Sequence, residues 1–161
     1  MLQDRQSPQS TSSAPLQGEA CLRHDALLEA IHGLEAALAS PAPGREEIWR
    51  CRASAALTGF QEALAAHVAS TESPAGLFGD VESLEPAFHH RIGRLRREHA
   101  DLTAQAESLA THLAPHAMGE EFNFHDLRQR AGWLLTAFRH HQALEADLAF
   151  ELYDLDTGAG D

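Results

Sequence analysis

The sequence predicts an all-α fold, and more specifically an antiparallel up-and-down bundle of four helices. Ala and Leu dominate its apolar residues, whereas the aromatic and β-branched residues that favour strands are scarce. Apolar side chains recur at alternating spacings of three and four residues, as on one face of a helix. Pro- and Gly-containing segments interrupt this periodicity at three places, and long helices joined by short connections pack antiparallel.

The chain has 161 residues, enough for one domain with a substantial core. Residues 1–18 are rich in Ser, Gln and Pro and have little to bury, so we expect a disordered N-terminal tail. We expect the bundle over residues 19–155 and a flexible C-terminal end over 156–161. The interruptions that separate its four helices are Pro41–Gly44, Ser73–Asp80 and Pro115–Asn123.

Each predicted helix has one seam of core-facing positions, and each seam is apolar except for a few polar residues. The seam of the first helix is His24, Leu27, Ile31, Leu34 and Leu38. That of the second is Ala53, Leu57, Phe60, Leu64, His67 and Thr71. The third has Phe88, Ile92, Leu95, His99, Leu102, Ala106, Leu109 and Leu113. The fourth has Leu127, Ala131, Leu134, Phe138, His141, Glu145, Leu148 and Leu152.

One histidine falls on each seam, although the chain has 11 histidines in all. Glu145 follows His141 by one helical turn on the same face. Because a helix rises about 1.5 Å per residue, distances from the connecting turns indicate whether these side chains share one depth. Counted from the third interruption, His99 and His141 lie at nearly the same depth in the bundle. Counted from the second, His67 and His99 do so only if the segment from Ser73 to Leu77 kinks the second helix rather than ending it.

Buried imidazoles need hydrogen-bonding or metal partners, so this layer is either a polar network or a metal site. Histidine and carboxylate ligands on facing helices suit iron, manganese or zinc, and two bridging carboxylates favour a dinuclear centre. Glu145 is one candidate bridge. The other is Glu72, which lies about 140° around an ideal helix from His67. A π-bulge or unwinding before Pro74 would be needed to turn Glu72 inward.

Four motifs resemble the hemerythrin-like (HHE cation-binding) domain family, and in particular an uncharacterised bacterial branch of it. Together they span most of residues 20–152. The motifs are RHDALLEAI at 23–31, FQEALAAHVASTES at 60–73, EPAFHHRIGRLRREHADL at 85–102 and HHQALEADL at 140–148. The resemblance implies a four-helix bundle that holds a non-haem diiron centre.

The resemblance also implies a ligand set when it is carried over residue by residue. The imidazole ligands would be His24, His67, His99 and His141, and the carboxylate ligands would be Glu145 and Glu72. Thr71 stands where the family has the first of two adjacent glutamates, and Leu95 stands where its oxygen carriers have a further histidine. These departures imply a reduced diiron site or a mononuclear one.

We therefore expect a hemerythrin-like, non-haem iron-binding protein that binds or senses dioxygen or a related small oxidant. The alternative is a structural or interaction bundle whose degenerate site binds no metal, and a third possibility is a diiron peroxidase or oxidase. The formal net charge of -12 argues against nucleic acid and anionic membranes as partners. The polar N-terminus and the lack of a bilayer-spanning apolar run predict a cytoplasmic protein.

Overall fold

The protein is all-α in the ranges that the computed structural model describes, residues 14–114 and 123–158, which contain no strand. The all-α prediction is therefore confirmed. Side chains are described for 25–83, 85–114 and 123–154. The α-helices are α1 (Ala14–Ala39), α2 (Glu46–Thr71), α3 (Leu77–Leu84), α4 (His89–Leu113) and α5 (Phe124–Gly158), with a 3-10 turn at Pro86–Phe88.

The observed helix ends differ from the expected domain boundaries at both termini. Helix α1 begins at Ala14, ahead of the start expected at residue 19, and α5 continues to Gly158, beyond the boundary expected at 155. Most of the expected tail, residues 1–13, lies outside the described residues, as do 159–161. In the same 14–114 and 123–158 ranges, no helix is both long and apolar enough to cross a bilayer.

The first interruption lies between α1 and α2, as the sequence predicts. Gly44 has a φ of 71°, in the left-handed region that favours glycine. Its backbone N–H donates to Oε1 of Glu46 over 2.8 Å, so the side chain of the first residue of α2 holds the loop.

The second interruption is not the kink that the depth argument required. Helix α2 ends at Thr71, and a separate eight-residue helix, α3, begins at Leu77. The turn between them is tight, since a Cβ on Gly76 would lie 2.1 Å from the carbonyl oxygen of Ser70. Glycine permits this close backbone approach, which allows the chain to leave α2 and start a new helix.

The four long helices pack in a ring, in which α1 contacts α2, α2 contacts α4, α4 contacts α5 and α5 contacts α1. The predicted seams face the interior of this ring. Every predicted seam residue from Leu27 onward is buried or partly buried. The main core contains side chains from all four helices, including Leu34, Phe60, Leu109 and Phe138.

A second, smaller apolar cluster lies where α3 packs against α4 and α5. We call it the α3 cluster, and its buried members are Phe78, Val81, Ile92, Leu95 and Leu148. The main core and the α3 cluster are separated along α4 by His99, which lies between Leu95 and Leu102 in the seam. The polar seam residues therefore form a layer between two apolar regions.

Candidate metal centre

Three of the four long helices bring polar seam residues together in this layer. His67 comes from α2, His99 from α4, and His141 and Glu145 from α5. Each offers one ligand atom, and the four atoms lie within 4.8 Å of one another. His99, His141 and Glu145 are only 2%, 1% and 7% exposed, and His67 is partly buried. The structure therefore brings together four of the six predicted ligands.

The imidazole Nε2 atoms all lie close to the carboxylate of Glu145. Nε2 of His67 is 3.0 Å from Oε2 of Glu145. The Nε2 atoms of His99 and His141 are 3.3 and 3.2 Å from its Oε1. Metal–ligand bonds of about 2.0–2.1 Å place neighbouring ligands roughly 2.8–3.0 Å apart in an octahedral site and roughly 3.3–3.4 Å apart in a tetrahedral one. The three observed nitrogen–oxygen separations are close to these values.

These close approaches are not hydrogen bonds. None of the three Nε2 atoms, nor Oε1 of Glu145, has a hydrogen-bond partner within the described part of the chain, although all four are buried. A buried polar atom without a partner costs about 1–3 kcal/mol. One cation at their centre would accept a lone pair from every one of these atoms. The donor set is therefore able to hold a metal ion.

The electrostatics of the layer follow from its single buried carboxylate. Burial alone would raise the pKa of the Glu145 carboxyl, but the imidazoles of His141, His67 and His99 outweigh burial and hold that pKa far below its usual range. Burial would lower the pKa of His141, but Glu145 and Glu98 outweigh it and raise that pKa. The layer thus favours an ionised carboxylate among imidazoles, and a cation that binds there must displace the proton that Glu145 and Glu98 favour on His141.

Glu72 lies outside the four-residue layer. Its Oε1 is 2.7 Å from Nδ1 of His99, on the opposite edge of that imidazole from Nε2. Glu72 caps α2 with φ -86° and ψ -4°, so the chain keeps its helical rotation at this residue and forms no inward bulge. Thr71 instead occupies the seam position and is 9% exposed. The geometry gives Glu72 the place of an outer partner of His99 rather than that of a bridging ligand.

Glu98 occupies a similar outer place beside His141 and was absent from the predicted site. Its Oε2 is 3.0 Å from Nδ1 of His141, and its Oε1 accepts a hydrogen bond from Nε of Arg94 over 2.8 Å. Glu98 precedes His99 on α4 and so stands off the seam. In the sequence, Glu98 is marked only by its position next to the seam histidine His99. The packing of α4 against α5 brings Glu98 to His141.

Aromatic rings border the layer on both sides. The Phe78 ring stacks on the His99 ring, with centroids 5.6 Å apart and planes 22° from parallel. On the main-core side, the Phe138 ring centroid lies 6.0 Å from that of His67 and 6.5 Å from that of His141. These rings separate the polar layer from the rest of the interior.

The remaining predicted ligand, His24, belongs to α1, but its side chain lies outside the described residues. A metal ligand from α1 therefore stays a prediction. No protein-family model, no curated protein and no solved structure matches the chain. The case for a metal centre comes from the geometry of His67, His99, His141 and Glu145, which form a buried three-histidine, one-carboxylate cluster able to hold a metal ion.

Proposed function

We propose that this chain is a hemerythrin-like protein, an antiparallel four-helix bundle that binds non-haem iron and, through it, dioxygen or a related small oxidant. The ring order of the long helices and the four sequence motifs support the bundle. The ligands in this proposal are His67, His99, His141 and Glu145. One observation carries it, the convergence of three buried Nε2 atoms and a carboxylate oxygen that lack hydrogen-bond partners.

We propose iron rather than another metal on two grounds, the donor set and the resemblance to the hemerythrin-like family. Imidazole and carboxylate donors suit iron, manganese and zinc alike, and the resemblance favours iron. The four donors of the layer suffice for one ion. A second ion would need further ligands, and the sequence predicts His24 as one of them. Four protein ligands leave room in a six-coordinate shell, so bound iron would supply a redox-active position for a small molecule.

The surrounding residues would restrict what reaches the layer. Phe78 and Phe138 flank it with apolar rings, and His99 and His141 are almost entirely buried. Such walls keep bulk water out and favour small uncharged molecules over charged or large ones. This is the reason to propose binding or sensing of a small oxidant rather than turnover of an organic substrate.

The competing proposal is a structural bundle whose layer binds no metal. Thr71 and Leu95 favour it, because both are buried at positions where the resembled family has ligands. In that case the layer would be held by the charge of Glu145 among its imidazoles alone. The two proposals make opposite predictions about metal content.

The test compares two adjacent histidines on α5, since His141 faces the layer and His140 is exposed. Wild type, His141→Ala and His140→Ala would be purified anaerobically from iron-replete cells, and iron per chain would be measured by elemental analysis. We expect about one iron or more per chain in wild type and His140→Ala, and background iron in His141→Ala.

Admission of air should then change the visible spectrum of wild type and His140→Ala but not that of His141→Ala. Iron well below one per chain in wild type, or equal iron in both variants, would favour the structural bundle. Peroxide consumption by the same three proteins tests the enzymatic alternative, because equal rates in wild type and His141→Ala would exclude catalysis at this layer.

A further inference from the structure

Two carboxylates outside the layer stand in equivalent places on two of its histidines. Glu72 Oε1 is 2.7 Å from Nδ1 of His99, and Glu98 Oε2 is 3.0 Å from Nδ1 of His141. The two imidazoles are almost fully buried, whereas the Glu72 and Glu98 side chains are 30% and 25% exposed. Each carboxylate thus lies between the layer and the protein surface.

This placement bears on which ring nitrogen carries the proton. A neutral imidazole has one N–H and one lone pair, and an ionised carboxylate can only accept a hydrogen bond. A carboxylate at Nδ1 therefore favours the tautomer with its N–H on Nδ1, which leaves the lone pair on Nε2. In His99 and His141, Nε2 lies 3.3 and 3.2 Å from Oε1 of Glu145 without a hydrogen bond to it. The hydrogen-bonded carboxylate at Nδ1 therefore has the stronger hold on the proton, and Nε2 keeps the lone pair on the side where a cation would bind.

Two arginines of α4 lie beside these carboxylates. Nε of Arg94 donates to Oε1 of Glu98, which leaves Oε2 for His141. Nε of Arg96 is 4.0 Å from Oε2 of Glu72, which leaves Oε1 for His99. Arg96 is itself held from α3, since its guanidinium donates to both oxygens of Glu82 over 2.5 and 3.1 Å. Arg94 therefore fixes Glu98 directly, whereas Arg96 approaches Glu72 only at 4.0 Å.

We propose that Glu72 and Glu98 are positioning residues that hold His99 and His141 in the tautomer whose Nε2 can bind a cation. The assignment gives Glu72 a role that does not require it to reach the metal. It rests on the proposed function only in naming a cation as the ligand of Nε2. The tautomer itself belongs to the metal-free protein and can be measured there.

The principal variants are Glu98→Ala and Glu72→Ala, with Glu151→Ala as the matched control. Glu151 pairs with Arg91 of α4 over 2.6 Å in the same surface region, and the structure gives it no contact with the histidines of the layer. Circular dichroism and thermal unfolding would establish that each variant is folded. Glu98→Gln is a nearly isosteric further variant that keeps the packing.

The first measurement is the tautomer of each histidine in metal-free, ¹⁵N-labelled protein at alkaline pH, from long-range ¹H–¹⁵N correlations. We expect His99 and His141 of wild type to carry the proton on Nδ1. Glu98→Ala should release His141 into a mixture of tautomers, and Glu72→Ala should do the same to His99. In Glu98→Gln, Arg94 should retain the amide oxygen, so that the amide nitrogen donates to Nδ1 and drives the proton to Nε2.

The second measurement is Co²⁺ affinity, from visible absorption in competition with a chelator. Loss of an outer partner of a ligating histidine weakens metal binding about 10–100-fold, and we expect this loss in Glu98→Ala and Glu72→Ala. Glu151→Ala should bind Co²⁺ as wild type does. Unchanged tautomers and unchanged affinity in the two principal variants would overturn the proposal. If wild type binds no metal, the proposed function fails, and the tautomer measurement alone decides whether Glu72 and Glu98 position the imidazoles.

Discussion

Helix α3 closes one end of the polar layer, and Phe78→Ala tests how it is held there. The Phe78 side chain is 0% exposed, and its ring stacks on the His99 imidazole at 5.6 Å. The guanidinium carbon of Arg96 lies 5.7 Å from the centroid of the same ring. Phe78 and Val81 are the buried side chains that α3 contributes to the α3 cluster. Truncation of Phe78 therefore removes the largest buried side chain that attaches this helix and leaves Val81 and the Glu82–Arg96 ion pair.

The expected loss follows from full burial. Truncating a buried phenylalanine to alanine costs about 3–5 kcal/mol. Because α3 has only eight residues, we expect it to detach before the long helices unfold, which limits the global loss to the lower end of that range. A loss of about 3 kcal/mol lowers the melting temperature of a chain this long by roughly 6–12 °C.

Urea unfolding followed by circular dichroism measures the global loss, and hydrogen exchange of residues 77–84 reports whether α3 detaches. Ser83→Ala is the control, since Ser83 is exposed on the same helix. Its unfolding free energy should stay within about 0.5 kcal/mol of wild type. A loss below about 1 kcal/mol in Phe78→Ala, with exchange in α3 unchanged, would show that other contacts hold this helix and refute the reasoning.

Three further predictions concern the metal and the turn before α3. Co²⁺ at about 100 times its dissociation constant should stabilise wild type and His140→Ala by about 2.7 kcal/mol in calorimetry. It should not stabilise His141→Ala, and an equal stabilisation of that variant would place the metal elsewhere. Metal affinity should decline as pH falls, because protons compete for His141. Its pKa is raised despite burial, so the competition should begin at a higher pH than for a free imidazole; calorimetric titrations that show no such decline would contradict this. Gly76→Ala should lower the unfolding free energy in urea by about 1–3 kcal/mol, because its Cβ would meet a backbone carbonyl oxygen. Gly33→Ala should not destabilise the protein, because the space around its Cβ is open. Similar stabilities for the two variants would argue against the tight turn.

The burial pattern of the long helices was predictable from the sequence. The spacing of apolar residues determines how each helix is rotated about its own axis, because only one rotation buries the whole stripe. That argument alone assigned His99, His141 and Glu145 to the interior, where the structure places them. It also separated His141 from the exposed His140, one residue away.

The path of the chain after α2 was not predictable in the same way. The depth argument needed a kink at the second interruption, but the chain ends α2 and forms α3, and the His67 and His99 rings still lie 5.3 Å apart. The spacing of apolar residues does not by itself determine where a helix ends. Here Gly76 permits the tight turn and Phe78 anchors the new helix.

By itself, the sequence determined which faces of the long helices are buried and which polar residues those faces carry, because helical periodicity is a local property. Only the tertiary structure decided which nitrogen of each imidazole faces the layer and which carboxylates stand behind it. Glu72 and Glu98 show the difference, since neither lies on a seam and each meets a histidine of another helix. Such contacts depend on the relative position of two helices, and the spacing of residues along one helix does not specify that position.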